Sequence, residues 1–567
     1  MIATMGNTAD IQLPSRQYCR LGQPAESDQW LTPARQRQWL LALLILGIVA
    51  RVVRYALRFP LWEDECNLVA NYLDADYLSV LRPLKYDTVC PMLFSWVELT
   101  AVRLLGFNEY SLRLFPLLCS LGSLVLFVHI ARKLTTGNTL LLSVGLFAVS
   151  YPIVRYVAEA KQYGCDLLVS SVSMALLIQF WHRPEQRRWL WALALWAPVS
   201  IGFSYPAVFV AGAISPLLAW SIWRSRQFRA WPAWVAYNLS VAVGFGVVYL
   251  VSIRPMLQGQ LSTMRVYWQE AFPPIAEPWK LPGWLLEVHA GSMLAYPIGG
   301  PGYGSTLTLL CCLAAIILLW KRRNVLLLGL TLGPLALHFV AAAMRRYPYG
   351  EHMRMALYLA PMFCILAAIG WQAILYALNR RRPSAVGMHI TLAALAMIAV
   401  VSIVRDFCWP YKSANDLRAK SFACWFWFNM PHSGELVCLH TDLGVDLEPA
   451  VFRVGRSAVY LCNQRIYSPR HAQRRQPQWE AVSEHWPLRC VQFRSPEVQR
   501  DDQAINRWLE QMQQRYRLIG RQSYPFPFYN KWETELRFVD TVEVYEFVPR
   551  EPARQTRSAI SAAEMIR

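Results

Sequence analysis

Stretches of about twenty apolar residues recur through this chain, and no other feature limits its fold as strongly. A hydrocarbon layer about 30 Å thick takes about 20 residues of helix to cross. Inside it every backbone N–H and C=O must be satisfied within the chain, which a helix does by itself. The runs lie near 39–57, 111–131, 139–157, 164–181, 189–204, 206–223, 231–253, 304–320, 324–343, 356–377 and 386–404. They predict about 11 transmembrane helices. The weakest are 189–204, which is short and contains Pro198, and 139–157, which ends near the polar Arg155. Composition agrees: 55% of residues are apolar and 16% charged, against about 25% charged in soluble domains. That excludes a large soluble enzyme and a disordered chain.

The net charge of +19 needs an address. Five short connections carry tight basic clusters: Arg132-Lys133; Arg183, Arg187 and Arg188; Arg224, Arg226 and Arg229; Lys321-Arg322-Arg323; and Arg380-Arg381-Arg382. Arg35 and Arg37 precede the first span. With eleven spans all of these fall on one side, and an excess of Lys and Arg marks the cytoplasmic side. The expected layout is a cytoplasmic segment 1–38, a membrane domain 39–404, and an extracytoplasmic domain 405–550 with a tail 551–567. The first 38 residues lack a cleavable signal pattern, so the first span reads as a retained anchor. The basic excess is topological and implies no nucleic-acid partner. The expected location is a bacterial-type inner or plasma membrane, surrounded by membrane lipids.

Beyond 405 the apolar runs shorten. Helices over 412–430 and 501–516 and strands near 435–440, 457–462, 489–494, 534–539 and 541–548 predict a small α/β domain. The fold class is therefore an α-helical polytopic membrane protein with a small C-terminal extracytoplasmic α/β domain. The 13 cysteines form no CxxC or Cys/His metal spacing. Cys66 and Cys90 could pair in an oxidising compartment, as could some of Cys424, Cys438, Cys462 and Cys490.

Charges in the outward connections are the candidates for chemistry, because ionisable groups at a membrane edge are costly. The first outer loop (58–110) opens with Leu61-Trp62-Glu63-Asp64-Glu65-Cys66. Between 60 and 110 it holds eight acids against three bases. Its residues 66–80 and 89–105 have the pattern of interfacial helices. The three acids suit a helix start or a general base beside the membrane. The second outer loop carries Arg155, Glu159, Lys161 and Asp166, which read as a local ion pair or as a site. The fourth, Met344-Arg345-Arg346-Tyr347-Pro348-Tyr349-Gly350-Glu351-His352-Met353-Arg354, puts three arginines on the side where topology disfavours them. Guanidinium groups there ask for an anionic partner such as a phosphate.

The strings WEDECNLVANYL and CPMLFSWVELTAVRLLGFNEYSLRLFPLLCSLGSLVLF resemble the start of GT-C membrane glycosyltransferases of the glycosyltransferase family 39 kind. Within that superfamily the nearest groups are protein O-mannosyltransferases and the transferases that place aminoarabinose on lipid A. EAKQYGCD and RRYPYGEHMRMALYLAPMF resemble later segments of the same families, so the likeness covers roughly 60–410. Cys90-Pro91 departs from the two prolines often found there. The resemblance implies a monosaccharide transferred from a polyprenyl-phosphate donor to a glycan, lipid or protein acceptor on the outer face, with inversion. It implies Asp64 as catalytic base with Glu65 beside it. Arg354, Arg346 and Lys161 would bind the donor phosphate, and Glu159 would be a second acid near the acceptor. No cofactor is required and no metal constellation is evident, although Glu63–Glu65 with Glu159 could hold a divalent ion. A lipid or solute transporter and a non-catalytic scaffold are the other classes to weigh. The absence of repeats and the location of the charges at outer ends favour the enzyme.

Overall fold

The computed structural model of the chain describes residues 32–72, 75–84, 88–156, 158–255, 268–299, 303–350, 352–378, 385–412, 416–417, 420–421, 436–438, 487–494, 509–510, 512–514, 516–528 and 538–550. Helices occupy all eleven apolar segments. In chain order the α-helices are α1 (Pro33–Ala56), α2 (Glu63–Val69), α3 (Met92–Leu105), α4 (Glu109–Leu134), α5 (Gly137–Val149), α6 (Tyr151–Tyr156), α7 (Tyr163–His182), α8 (Arg188–Phe203), α9 (Ala207–Arg224), α10 (Trp231–Val248), α11 (Leu281–Val288), α12 (Thr306–Lys321), α13 (Val325–Ala343), α14 (Ala360–Leu378) and α15 (Ala385–Cys408). Among the described residues eight helical stretches are long and apolar enough to cross a membrane. The difference from eleven lies in α5 and α12, which are shorter apolar helices, and in α8, which has 16 residues with Pro198 inside.

The expected span 139–157 is interrupted. The α-helix stops at Ser150, whose ψ of 116° is extended, and α6 restarts at once with Pro152 in its first turn. Proline disfavours helical backbone at the residue before it and offers no N–H of its own. The Tyr151 amide freed by the break donates to Pro297 O at 2.8 Å, so the kink is satisfied by another loop. This turn re-aims the chain towards the second outer loop. In the first outer loop α3 fills most of 89–105, whereas the helix expected over 66–80 ends early, in a 3-10 turn at Ala70–Tyr72.

Close packing holds the bundle. Arg51 of α1 is fully buried, and it donates to Ser120 Oγ of α4 and to the carbonyls of Gly47, Phe147 and Ala148 at 2.8–3.3 Å. A guanidinium in an apolar interior is tolerable only when its donors are so spent. Gly370 of α14 lies so close to α12 that an added Cβ would meet Cys311 O at 1.7 Å. Small residues permit such approaches between membrane helices.

A four-stranded sheet, order β1-β2-β4-β3, follows the bundle. It consists of β1 (Leu436–Cys438), β2 (Leu488–Arg494), β3 (Tyr516–Phe528) and β4 (Phe538–Pro549), with β1 and β2 parallel and the other pairs antiparallel. The run from Tyr516 is a 13-residue strand that sequence periodicity missed, because two prolines and a glycine break its alternation. The two strands expected near 534–548 are one strand, β4. The strand expected at 457–462, and most of 412–430 and 501–516, lie outside the described residues.

The sheet is tied to the first outer loop. Val544 of β4 belongs to one buried apolar cluster with Leu61, Cys66, Phe94 and Leu112. At the end of the last helix Asp406 accepts from Arg54 of α1 at 2.7 Å. Lys420 donates to Arg58 O at 2.7 Å and pairs with Glu109 at 3.2 Å. The chain leaving α15 is thereby pinned over the first outer loop.

Candidate active site

The acids 64 and 65 are neighbours in sequence and part company in space. Successive residues of a helix point about 100° apart, so the first turn of α2 sends them to different partners. Glu65 turns inward and is 1% exposed. It receives Arg113 Nε at 2.9 Å and Nη2 at 2.7 Å, the Ala160 amide at 2.6 Å and the Trp62 amide at 3.1 Å. The same guanidinium donates to the carbonyls of Phe59 at 2.6 Å and Pro60 at 3.3 Å. Glu65 and Arg113 form a fixed bidentate pair that clamps the start of α2 to α4 and to the second outer loop. The Ala160 bond matters most, because the next residue is Lys161.

Asp64 faces the remaining opening, with 27% of its side chain exposed. Lys161 Nζ lies 2.7 Å from Oδ1 and Arg354 Nη1 3.0 Å from Oδ2. Arg354 reaches it from the 3-10 turn Met353–Leu359 that leads into α14. Its guanidinium lies 5.5–5.8 Å from the ring centres of Trp62, Tyr163 and Trp268, within cation–π range. Glu159 is buried and accepts from Trp62 Nε1 at 3.2 Å, with Arg155 Nε 3.8 Å from its other oxygen. Lys412 lies over the Trp62 ring.

The electrostatics follow from this geometry. Burial pushes the Asp64 carboxyl up, but Lys161 and Arg354, with Lys412 behind them, outweigh it and hold it down at about 2. Burial lowers the Lys412 ammonium to about 7, with Glu159 and Asp64 opposing and Arg155 and Arg354 adding to the fall. Asp64 is depressed relative to an ordinary value of about 4. Its ionised form therefore stabilises the fold above about pH 4, a contribution that fades as pH falls towards 2. Another acid of the same loop has the opposite fate. Glu98 of α3 is buried, neither carboxylate oxygen meets a hydrogen-bond partner among the described residues, and burial holds it well above the usual range. Burial thus favours its neutral form, whereas the cations beside Asp64 favour the ionised one.

The fold thus gathers Asp64, Lys161, Arg354 and Glu159 and leaves two expected residues out. Arg346 is exposed, takes part in no ion pair at Asp64, and follows a turn in which Arg345 has φ 53°. Glu65 is near the site but saturated by Arg113. Among the described residues no group of three or more His, Cys, Asp or Glu could hold a metal. The Glu63 side chain and Glu351 lie outside the described residues. Cys66 and Cys90 are both buried, and no disulfide joins them. Cys424 and Cys462 lie outside the described residues.

Arg113, Trp62, Trp268 and Lys412 complete the site without having been singled out for it. Arg113 stands in the Gly106–Leu114 segment that carried the resemblance, so its position was visible though its partner was not. Lys412 had no signal, since it arrives from 58 residues beyond Arg354.

The site lies at one end of the bundle. Lys161 and Tyr163 stand at the start of α7, whereas Arg183, Arg187 and Arg188 follow its other end, about 30 Å away for a 20-residue helix. Three cations and one carboxylate meet at an aromatic-lined opening there, with Glu159 and Arg155 just behind. That excess of positive charge beside a carboxylate can hold a phosphate and accept a proton.

Part of the chain is similar to known proteins. Residues 89–251 match the family described as dolichyl-phosphate-mannose-protein mannosyltransferase. That segment includes Arg113, Glu159 and Lys161, and excludes Asp64 and Arg354. Among solved structures, ArnT from Cupriavidus metallidurans bound to undecaprenyl phosphate is similar over 89% of this chain and 98% of that one, with TM-score 0.48 and 12% identity. AglB, an oligosaccharyltransferase from Archaeoglobus fulgidus in complex with an inhibitory peptide and a dolichol-phosphate, is similar over 91% and 77%, with TM-score 0.42 and 10% identity. No curated protein matches the chain. The family likeness is thus carried by residues 89–251, less than a third of the chain.

Proposed function

We propose that the protein transfers a monosaccharide from a polyprenyl-phosphate donor to an acceptor at the extracytoplasmic face, with Asp64 as the base. One observation carries this reading: a single part-exposed carboxylate held by Lys161 at 2.7 Å and Arg354 at 3.0 Å, at the end of the bundle opposite the basic connections. Those cations are the groups that would receive the donor phosphate emerging from the bilayer, with its polyprenyl tail between the helices. The acceptor heteroatom attacks the anomeric carbon from the side opposite the phosphate. Its bond to carbon forms as the carbon–oxygen bond to phosphate breaks, the electron pair leaves with the phosphate, and the acceptor proton passes to Asp64. The configuration inverts. Lys161 and Arg354 stabilise the charge that develops on the leaving phosphate, which is where a preorganised charge contributes most. Glu65 and Arg113 position Asp64 and Lys161, and Glu159 orients Trp62. The acceptor class stays open among glycan, lipid and protein.

The same geometry couples donor binding to basicity. An aspartate held at about 2 by two cations is a poor proton acceptor. A phosphate that draws Lys161 and Arg354 to itself relieves that hold, so the carboxylate becomes basic once the donor is in place. The profile of kcat/KM reports the free enzyme and that of kcat the loaded one. The acid limb of kcat should lie at higher pH than that of kcat/KM, and kcat/KM should show no limb from Asp64 above about pH 4. Parallel profiles would count against the coupling.

Purified protein in lipid nanodiscs, supplied with polyprenyl-phosphate sugars and envelope acceptors, tests the reading by release of polyprenyl phosphate. Arg354→Ala should raise the apparent KM for donor about tenfold to a hundredfold, the effect of losing a charged phosphate contact. Arg346→Ala should leave it unchanged. An unaltered donor KM in Arg354→Ala would remove the phosphate role.

A further inference from the structure

The chain leaving the last helix enters the site. Trp409 continues the turn of α15 by donating to Arg405 O at 2.8 Å. Arg405 stacks on Tyr151, Asp406 holds Arg54, and further on Lys420 holds Glu109 and Arg58 O. Between these fixed points Lys412 is set against the ring of Trp62, the indole that also lies within cation–π range of Arg354 and whose N–H is committed to Glu159. The ammonium is half-buried. The charged groups that act on it come from each element around it: Glu159 and Arg155 from the second outer loop, Asp64 from α2, and Arg354 from the turn before α14. Two carboxylates there already have cations of their own in Lys161, Arg354 and Arg155. An added cation is therefore surplus to the site's own acids and has a use only towards an anion from outside.

We infer that Lys412 is a third phosphate-binding cation, brought to the donor site by the segment that follows the membrane domain. The inference rests on the reading of the site as one for a lipid-linked phosphate, and it extends that site beyond the transmembrane helices. Trp62 would serve as the platform that keeps the ammonium beside the phosphate while leaving its N–H bonds free to turn towards it. The arrangement also ties donor binding to the seating of the C-terminal segment, because the contacts of Arg405, Asp406 and Lys420 on either side hold Lys412 against Trp62.

The group titrates in a useful range. With burial holding the ammonium at about 7, it is charged below that pH and neutral above it. Its contribution should weaken as pH rises through 7. Arginine at the same place stays charged.

The test uses the full-length protein in nanodiscs and undecaprenyl phosphate as probe, with binding measured at pH 6 and pH 8 for wild type, Arg354→Ala, Lys412→Met and Lys412→Arg. The phosphate's own second ionisation near pH 6 affects all four alike, so ratios between variants are read. Lys412→Met should bind about tenfold more weakly than wild type at pH 6 and lose most of that difference at pH 8. Lys412→Arg should match wild type at pH 6 and exceed it at pH 8. Wild-type binding that depends on Arg354 but is unchanged in Lys412→Met at pH 6 overturns the role of Lys412 and leaves the donor site standing. Failure of the wild type to bind in an Arg354-dependent way overturns both. If Lys412→Met and Lys412→Arg weaken binding equally at both pH values, the position serves packing and the inference also fails.

Discussion

Asp64→Asn will lower glycosyl transfer by about 10²- to 10⁴-fold, the range contributed by a positioned general base, while the protein still inserts and binds donor. The reason lies in what asparagine keeps and loses. It has nearly the volume and shape of aspartate, and its single carbonyl oxygen can still accept from one of Lys161 and Arg354, so the site keeps its packing while one of the two contacts is lost. It cannot take the acceptor's proton. It also removes the one charge that competes with a phosphate for those cations. Donor affinity should therefore hold or tighten while kcat collapses, and that split distinguishes a base from a structural carboxylate. Steady-state kinetics with a lipid-linked donor, together with probe binding, give both numbers. A fall in donor affinity with kcat intact would reverse the assignment. Asp64→Glu should recover little, because the longer side chain must move the carboxylate out of a position fixed at 2.7 Å and 3.0 Å.

The second large effect concerns stability. Arg113→Met will cost about 3–5 kcal/mol, because it strands the Glu65 carboxylate in a site where it is 1% exposed. The carbonyls of Phe59 and Pro60 lose their donor too. Thermal unfolding in detergent, followed by the loss of monodisperse protein, measures it. Combining Glu65→Gln with Arg113→Met should recover part of the loss, since no buried charge is then left unpaired. The double variant should still transfer poorly. Without the Glu65–Arg113 clamp the Ala160 amide has no carboxylate to hold it, and Lys161 is no longer fixed beside Asp64. A double variant with wild-type turnover would show that the clamp serves stability alone.

Much of the membrane architecture was legible before any coordinates, because hydropathy is local and additive. Each helix reports its own apolar run, and each basic connection its own side. What sequence misjudged were places where a local pattern meets a long-range partner. Ser150 breaks a run that reads as one span, and the break is tolerable only because Pro297 O receives the freed Tyr151 amide. Tyr516–Phe528 reads poorly as a strand and becomes one by pairing along β4. The 66–80 stretch has helical spacing but ends in a 3-10 turn at Tyr72.

The candidate site was legible as loops and only partly as residues. Asp64, Glu159, Lys161 and Arg354 stand out because charge at a membrane edge is expensive wherever it occurs. That argument cannot tell Asp64 from Glu65, or Arg354 from Arg346. The difference is one of direction: a rotation of about 100° between consecutive residues of α2, and a 3-10 turn that aims Arg354 inward while Arg346 stays in solvent. Lys412 was beyond reach of any local pattern, since its relation to Trp62 spans 350 positions of chain. The sequence by itself determined a bundle of apolar helices with basic clusters in alternate connections, and it pointed to the charged connections between them as the candidates for chemistry. The tertiary structure alone decided which carboxylate is clamped by Arg113 as a strut and which faces the opening between Lys161 and Arg354. Those choices depend on where distant helix ends meet, and no local periodicity encodes that.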